Sequence, residues 1–241
     1  MNRAERSLLW PTLAAGVIFA LLCGLGAWQL ARLAEKTALI EAASAQLTAP
    51  PGPLPDDLSR PETLDFRRVA VEGRLVGNRV LYRNGSSPAG RAGLRALAPL
   101  ALDDGRMLLT DLGWLPLDRK GEPLPLPEDR LVVEGVLRTP RAPNWLTPAN
   151  NPANNAWAWL DLPAMAEALG VAQLAPVLLR AESMRGNDGA PRLEGLERGP
   201  EAVDLENNHL EYALTWFALA GGMAVIYLLF VSRRRRRTGV P

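Results

Sequence analysis

Residues 8–28 read LLWPTLAAGVIFALLCGLGAW, a run of 21 residues without a charged side chain. As an α-helix this run would be about 30 Å long, which matches the hydrocarbon core of a bilayer. A cleaved signal peptide is the alternative interpretation. However, the run is longer than the apolar region of such peptides, and no A-x-A cleavage site precedes its helix-like continuation. We therefore predict an uncleaved membrane helix over residues 8–29.

A second uncharged run, ALTWFALAGGMAVIYLLFV, occupies residues 213–231, and five consecutive arginines follow it at residues 233–237. Positive side chains beside a membrane span favour the cytoplasmic side, so the C-terminus is predicted to be cytoplasmic. Arg3 and Arg6 outnumber Glu5 before the first run and predict the same side for the N-terminus. The expected location is a bacterial inner membrane, crossed twice.

Two such spans divide the chain into five predicted segments. These are a cytoplasmic N-terminus (1–7), transmembrane helix 1 (8–29), a periplasmic domain (30–212), transmembrane helix 2 (213–231) and a basic cytoplasmic tail (232–241). Between residues 37 and 207, 18 basic side chains stand against 23 acidic ones. This balance is ordinary for a soluble domain and shows none of the clustering of Arg and Lys that nucleic-acid binding requires.

Strand patterns dominate the middle segment. The first helix is expected to continue to about Gln46, before the proline-rich residues 49–55. Asp161 is a candidate N-cap for a helix over residues 162–169, which Gly170 ends. Turn pairs are expected at Gly77-Asn78 and Asn84-Gly85, between short strands at residues 66–76, 79–83, 94–102, 106–111, 131–137 and 177–180. The predicted fold class is membrane α plus soluble β-rich α+β, with two transmembrane helices flanking one antiparallel β-rich periplasmic domain.

One cysteine, Cys23, and one histidine, His209, limit the chemistry of the chain. A lone cysteine excludes an internal disulfide and thiolate zinc sites, and a lone histidine excludes multi-histidine metal sites. No G-x-S-x-G, Walker or G-x-G-x-x-G motif occurs. A membrane hydrolase would need a nucleophile and a base that the sequence lacks, so we predict that the protein is not an enzyme. A two-span sensor is disfavoured because the predicted cytoplasmic segments are too short for an output domain.

Polar and aromatic side chains concentrate where the apolar runs meet the middle segment. Each of two sets shares a helix face: Trp28, Arg32 and Lys36 at i, i+4 and i+8, and His209, Tyr212 and Trp216 at i, i+3 and i+7. An aromatic belt with a hydrogen-bonding histidine is the simpler interpretation. A site for an amphipathic anionic ligand such as haem is the alternative, since imidazole can bind iron and the two cations can pair with propionates. Composition leaves both open.

At these residues the chain resembles the surfeit locus protein 1 family of cytochrome oxidase assembly factors. Residues 26–36, GAWQLARLAEK, are similar to the family signature G-x-W-Q-x-x-R-x-x-x-K, and residues 208–217, NHLEYALTWF, to its H-L-x-Y-x-x-T-W segment. One block departs from the family pattern. Residues 111–116 read DLGWLP where the family usually carries N-R-G-W-V-P, so Leu112 replaces the arginine.

The resemblance implies a non-enzymatic assembly factor for a haem-copper terminal oxidase, which binds haem a transiently and assists its insertion into the catalytic subunit. It implies His209 as the ligand of the haem iron, with a surround of Tyr212, Trp28, Gln29, Arg32 and Lys36. The expected partners are the oxidase catalytic subunit, haem a synthase as an option, and the lipid bilayer. A scaffold for oxidase subunits or haem a synthase that carries no haem is the alternative, and a paralogue serving another oxidase stays open.

Overall fold

The computed structural model describes residues 3–77, 79–200 and 207–237. Asn78 of the predicted Gly77-Asn78 turn lies outside the described residues, as do residues 1–2 and 238–241 of the predicted cytoplasmic ends. The chain forms two compact units, one of residues 1–42 and 204–241, the other of residues 43–203. The helices are α1 (Arg3–Thr48), α2 (Leu162–Leu169) and α3 (His209–Arg237), and the strands are β1 (Arg68–Leu75), β2 (Leu81–Ser86), β3 (Ala92–Leu102), β4 (Met107–Leu115), β5 (Leu131–Arg138) and β6 (Leu178–Gly186).

The two long helices expose large apolar side chains along their apolar segments. Val17 and Leu21 of α1 are exposed, as are Ile226 and Leu228 of α3. Each helix contains a stretch that is long and apolar enough to cross a membrane. Both apolar helices are therefore confirmed, and α1 continues past its apolar stretch to Thr48, two residues beyond the predicted end. The side of a membrane on which each terminus lies stays a prediction.

Within the described residues, six strands form one sheet in the order β1-β5-β6-β4-β3-β2. Pairing of β1 with β3, from Gly73↔Leu102 to Leu75↔Leu100, closes five of these strands into a barrel, and β2 extends the sheet from β3. The predicted β-rich domain is thus confirmed. The expectation of purely antiparallel pairing is wrong at β4 and β6, which run parallel. A closed ring with an odd number of strands cannot alternate direction all the way round, so one parallel neighbour is unavoidable.

The barrel interior is filled by apolar side chains that alternate along the strands with residues of the outer face. Its buried cluster includes Val71, Ala98, Leu100, Leu112, Val133 and Leu179. Leu112, the residue that replaces the family's arginine, is fully buried among them. Burial of each such leucine contributes about 1.5–3 kcal/mol. The interior is therefore a packed core rather than a ligand cavity.

A second apolar cluster covers part of the outer face of the barrel. Trp157 and Met165 are fully buried there against Leu97 and Leu109. The cluster depends on α2, whose start and end are those predicted. The Asp161 side chain accepts the N–H of Ala164 at 3.3 Å, and Gly170 ends the helix with a φ of +71°.

The predicted turn at Asn84-Gly85 is wrong. Strand β2 runs through both residues and pairs them with β3, and the chain turns at residues 87–91 instead. A Cβ atom on Gly85 would lie 2.6 Å from Cγ of Arg95. The glycine therefore makes room for a neighbouring side chain, a use that the local dipeptide does not distinguish from a turn.

Candidate functional site

All six predicted site residues lie in the unit formed by the two long helices. Residues further along α1 contact residues earlier in α3 or just before it. The pairs are Thr12 with Tyr227, Gly26 with Phe217, Gln29 with His209, and Thr37 with Asn207. The helices are therefore antiparallel. Gly26 makes room for the partner helix, since a Cβ atom there would lie 2.7–2.9 Å from the Phe217 ring.

The central feature of the site is a hydrogen bond between the two helices. His209, the first residue of α3, has its Nδ1 atom 2.8 Å from Oε1 of Gln29. An amide oxygen can only accept, so Nδ1 carries the hydrogen and donates it. In the neutral ring the other nitrogen, Nε2, then keeps its lone pair. Gln29 is 9% exposed and thus holds the imidazole from a buried position. The contact favours this tautomer and orients the ring.

The aromatic candidates flank this hydrogen bond from one side. Successive helical residues are turned by about 100°, which places Trp28 to one side of Gln29. Because α3 runs antiparallel to α1, the step of three residues from His209 to Tyr212 places Tyr212 on the same side of the helix pair as Trp28. Both rings are exposed, Trp28 by 53% and Tyr212 by 57%, so they are available to an external ligand. Both also lie on the side of the hydrogen bond nearer the apolar stretches.

The cationic candidates lie in the opposite direction along the axis. At about 1.5 Å per residue, Arg32 and Lys36 lie about 5 and 10 Å from Gln29, away from the apolar stretch of α1. Lys36 is half-buried. Arg32 donates to Glu35 at 2.8 Å, in a pair whose side chains are 54% and 63% exposed. Such an exposed pair contributes at most about 1 kcal/mol, so an anionic ligand can displace Glu35.

The sequence placed the six candidate residues on two helices but did not predict how those helices meet. The helical spacing correctly grouped each set, but it did not show that Gln29 and His209 meet. Glu35 was missed altogether, although its i, i+3 spacing from Arg32 was a usable signal. The arrangement offers one imidazole nitrogen, aromatic faces toward the apolar side and cations toward the polar side. These groups fit an amphipathic, anionic macrocycle such as haem.

Replacing Gln29 by leucine is expected to loosen the tautomer preference of His209. Loss of one hydrogen bond removes about 1 kcal/mol of preference, or about a five-fold change in the ratio of the two neutral forms. Because the chain has one histidine, nitrogen NMR of the ¹⁵N-histidine-labelled full chain in micelles reports on this ring alone. Gln46→Leu, at an exposed position of α1, is the matched control. An unchanged ratio in Gln29→Leu would show that the hydrogen bond does not select the tautomer.

Comparison with known proteins gives consistent matches over most of the chain. A model of the SURF1 family matches residues 16–221. A SURF1-like protein from Rickettsia conorii is 31% identical over 226 residues, which cover 91% of this chain and 89% of that protein. Surfeit locus protein 1 from Homo sapiens is 30% identical over 237 residues, which cover 90% of this chain and 75% of the human protein. The matched range includes all six site residues and the whole barrel.

Proposed function

Since the chain belongs to the SURF1 family, we propose that it assists the assembly of a haem-copper cytochrome oxidase by holding haem a at His209 and helping its insertion into the catalytic subunit. The observation that carries this proposal is the Gln29–His209 hydrogen bond, which leaves Nε2 as the nitrogen for a metal. The haem would contribute only its iron and its own anionic and apolar edges as cargo. The groups that bind the iron, pair with the propionates and pack on the macrocycle would be side chains of the two helices.

The distribution of these side chains supports an amphipathic cargo. Arg32 and Lys36 would pair with the propionate groups on the polar side. Trp28 and Tyr212 would pack against the macrocycle on the apolar side. A single protein ligand to the iron suits a carrier, because one coordinate bond and lateral contacts allow release to the next protein. The role is thus one of binding and transfer, without catalysis.

The two apolar helices support a membrane location for this step. We propose that both helices cross a bacterial inner membrane with both termini in the cytoplasm, as the arginines at residues 233–237 favour. Residues 43–203 would then lie in the periplasm. The oxidase catalytic subunit is the partner that receives haem, and haem a synthase is the second candidate partner.

Deletion of the gene is expected to lower the haem a absorbance of the membranes, and expression of the full chain should restore it. The measurement is a reduced-minus-oxidised spectrum of washed membranes, with the haem b signal as an internal control for membrane yield. Loss confined to one oxidase would identify the client. An unchanged spectrum for every oxidase in the deletion strain would contradict the assembly role, whatever the fate of haem at His209.

A further inference from the structure

The segment that follows β5 is almost free of charge. Residues 139–160 read TPRAPNWLTPANNPANNAWAWL, with one arginine, Arg141, and no acidic residue. Charged side chains make up 22% of the whole chain, so a stretch of this length would ordinarily carry about five. Most of residues 141–154 are nevertheless exposed. Charged side chains normally lie on such surfaces, so their scarcity here calls for a physical reason.

The loop tip, residues 143–148, is a tight turn with two large apolar side chains at its centre. The N–H of Thr147 donates to the carbonyl oxygen of Asn144 at 3.0 Å and closes the turn. Its central residues are Trp145, which is 90% exposed, and Leu146, which is 68% exposed. Turns more often place glycine, proline or short polar residues there. The loop tip therefore presents an apolar pair to its surroundings.

The backbone of the loop tip is suited to surroundings that offer few hydrogen bonds. Besides the bond that closes the turn, Oδ1 of Asn144 accepts the N–H of Leu146 at 2.9 Å. The hydroxyl of Thr147 accepts the N–H of Asn144 at 3.0 Å. Pro143 and Pro148 have no N–H to pair. Five of the six residues at the loop tip thus present no free N–H group, which lowers the cost of moving the tip out of water.

We propose that the loop tip inserts into the periplasmic surface of the lipid bilayer, as a membrane contact in addition to the two apolar helices. Trp145 lies at the boundary between headgroups and acyl chains, where tryptophan is enriched in membrane proteins, and Leu146 reaches the acyl chains. The exposed Arg141, just before the loop tip, pairs with lipid phosphate groups. The inference rests on the proposed crossing of the membrane by both helices, which keeps residues 43–203 near the bilayer.

A bilayer suits this contact better than a partner protein does. A standard protein–protein interface covers about 800 Å² on each partner, far more than two side chains contribute. So small an apolar contact holds only a surface that is already near. The chain joins the barrel unit to α1 at one end and to α3 at the other, so its contact with the bilayer is in effect intramolecular. The positive charge of the segment favours anionic phospholipids.

Fluorescence of the full chain in lipid nanodiscs tests this contact. The chain has one cysteine, Cys23, in the apolar stretch of α1. Labelled with the fluorophore NBD, Cys23 reports on the helix, and Leu146→Cys in a Cys23→Ser background reports on the loop tip. The discs contain phosphatidylethanolamine and phosphatidylglycerol, with or without bromine on the upper acyl chains. Brominated lipid should quench NBD at Leu146→Cys at least about half as strongly as at Cys23.

Matched variants separate insertion of the loop tip from general proximity to lipid. Asn187 is an exposed central residue of another tight turn, so NBD at Asn187→Cys should stay unquenched. Adding Trp145→Ser to Leu146→Cys should reduce the quenching at least about two-fold, because the largest apolar side chain is lost. Adding Arg141→Gln should reduce it only in discs that contain phosphatidylglycerol. Circular dichroism of each variant establishes that the fold is intact.

Three results would overturn the proposal. Equal quenching at Leu146→Cys and Asn187→Cys shows a contact that is not specific to the loop tip. Quenching at Cys23 without quenching at Leu146→Cys leaves the helix in the membrane and the loop tip in water; a shift of NBD emission on adding native membrane extract then identifies a protein partner instead. Absence of quenching at Cys23 contradicts the membrane location itself. Each readout is independent of haem a, so failure at the loop tip leaves the role of His209 intact.

Discussion

Replacing His209 by alanine is expected to remove haem a from the purified full chain while leaving the protein folded in the membrane. His209 is the one histidine of the sequence, so no second imidazole is present in the chain to replace it. Loss of a residue that merely orients a metal ligand costs about 10–100-fold in affinity, and loss of the ligand itself should exceed that range. The measurement is haem a per protein, from visible absorbance after co-expression with the haem a pathway.

Matched variants separate ligand loss from general damage. Asn208→Ala changes the exposed polar residue that precedes His209 and should retain haem a. Gln29→Leu keeps the imidazole but removes its hydrogen-bond acceptor, so it should retain an intermediate amount. An unchanged haem content in His209→Ala would eliminate His209 as the ligand. If that variant also restored oxidase in the deletion strain, the scaffold that carries no haem would be the better description.

The helices were predictable from sequence because their signal is local. An uncharged run of about 20 residues identifies a span by itself, and a cap such as Asp161 with a stop at Gly170 identifies a short helix. Barrel closure was not predictable in the same way. Pairing of β1 with β3 and of β4 with β6 joins strands that are not consecutive, and no local pattern encodes such partners.

The candidate site shows the same division between local and long-range information. Spacing along one helix correctly placed Trp28 with Arg32, but the rotation of one helix against the other decides which side chains meet. Gln29 was a candidate because it follows the first apolar run, but its partner was not predictable, since its contact with His209 joins residues 180 positions apart. The buried pair of Arg95 and Asp111 was missed, although a single charge within each of two apolar strands was a usable signal.

Replacing Asp111 by alanine is expected to destabilise the barrel by about 3–5 kcal/mol. Arg95 and Asp111 are 3% and 1% exposed, and Asp111 also accepts the N–H of Gly113 at 3.1 Å. Burial lowers the pKa of the Arg198 guanidinium, and the charge of Asp111 acts against that shift. Removing the carboxylate therefore leaves one buried cation without its partner and destabilises a second. Guanidinium chloride denaturation of the full chain in micelles, followed by tryptophan fluorescence, measures the change.

Two comparisons show whether this effect comes from an uncompensated charge. Asp188→Ala breaks an ion pair whose carboxylate is 60% exposed and should cost less than about 1 kcal/mol. Arg95→Met combined with Asp111→Leu removes both charges, so it should be much less destabilising than Asp111→Ala alone. Equal losses in the double and single variants would mean that packing, rather than charge, explains the result. In that case the stability of residues 111–116, the block that departs from the family pattern, depends mainly on Leu112 in the interior. If the double variant is the less destabilised of the two, Leu112 stabilises the inner face of β4 and Asp111 the outer face.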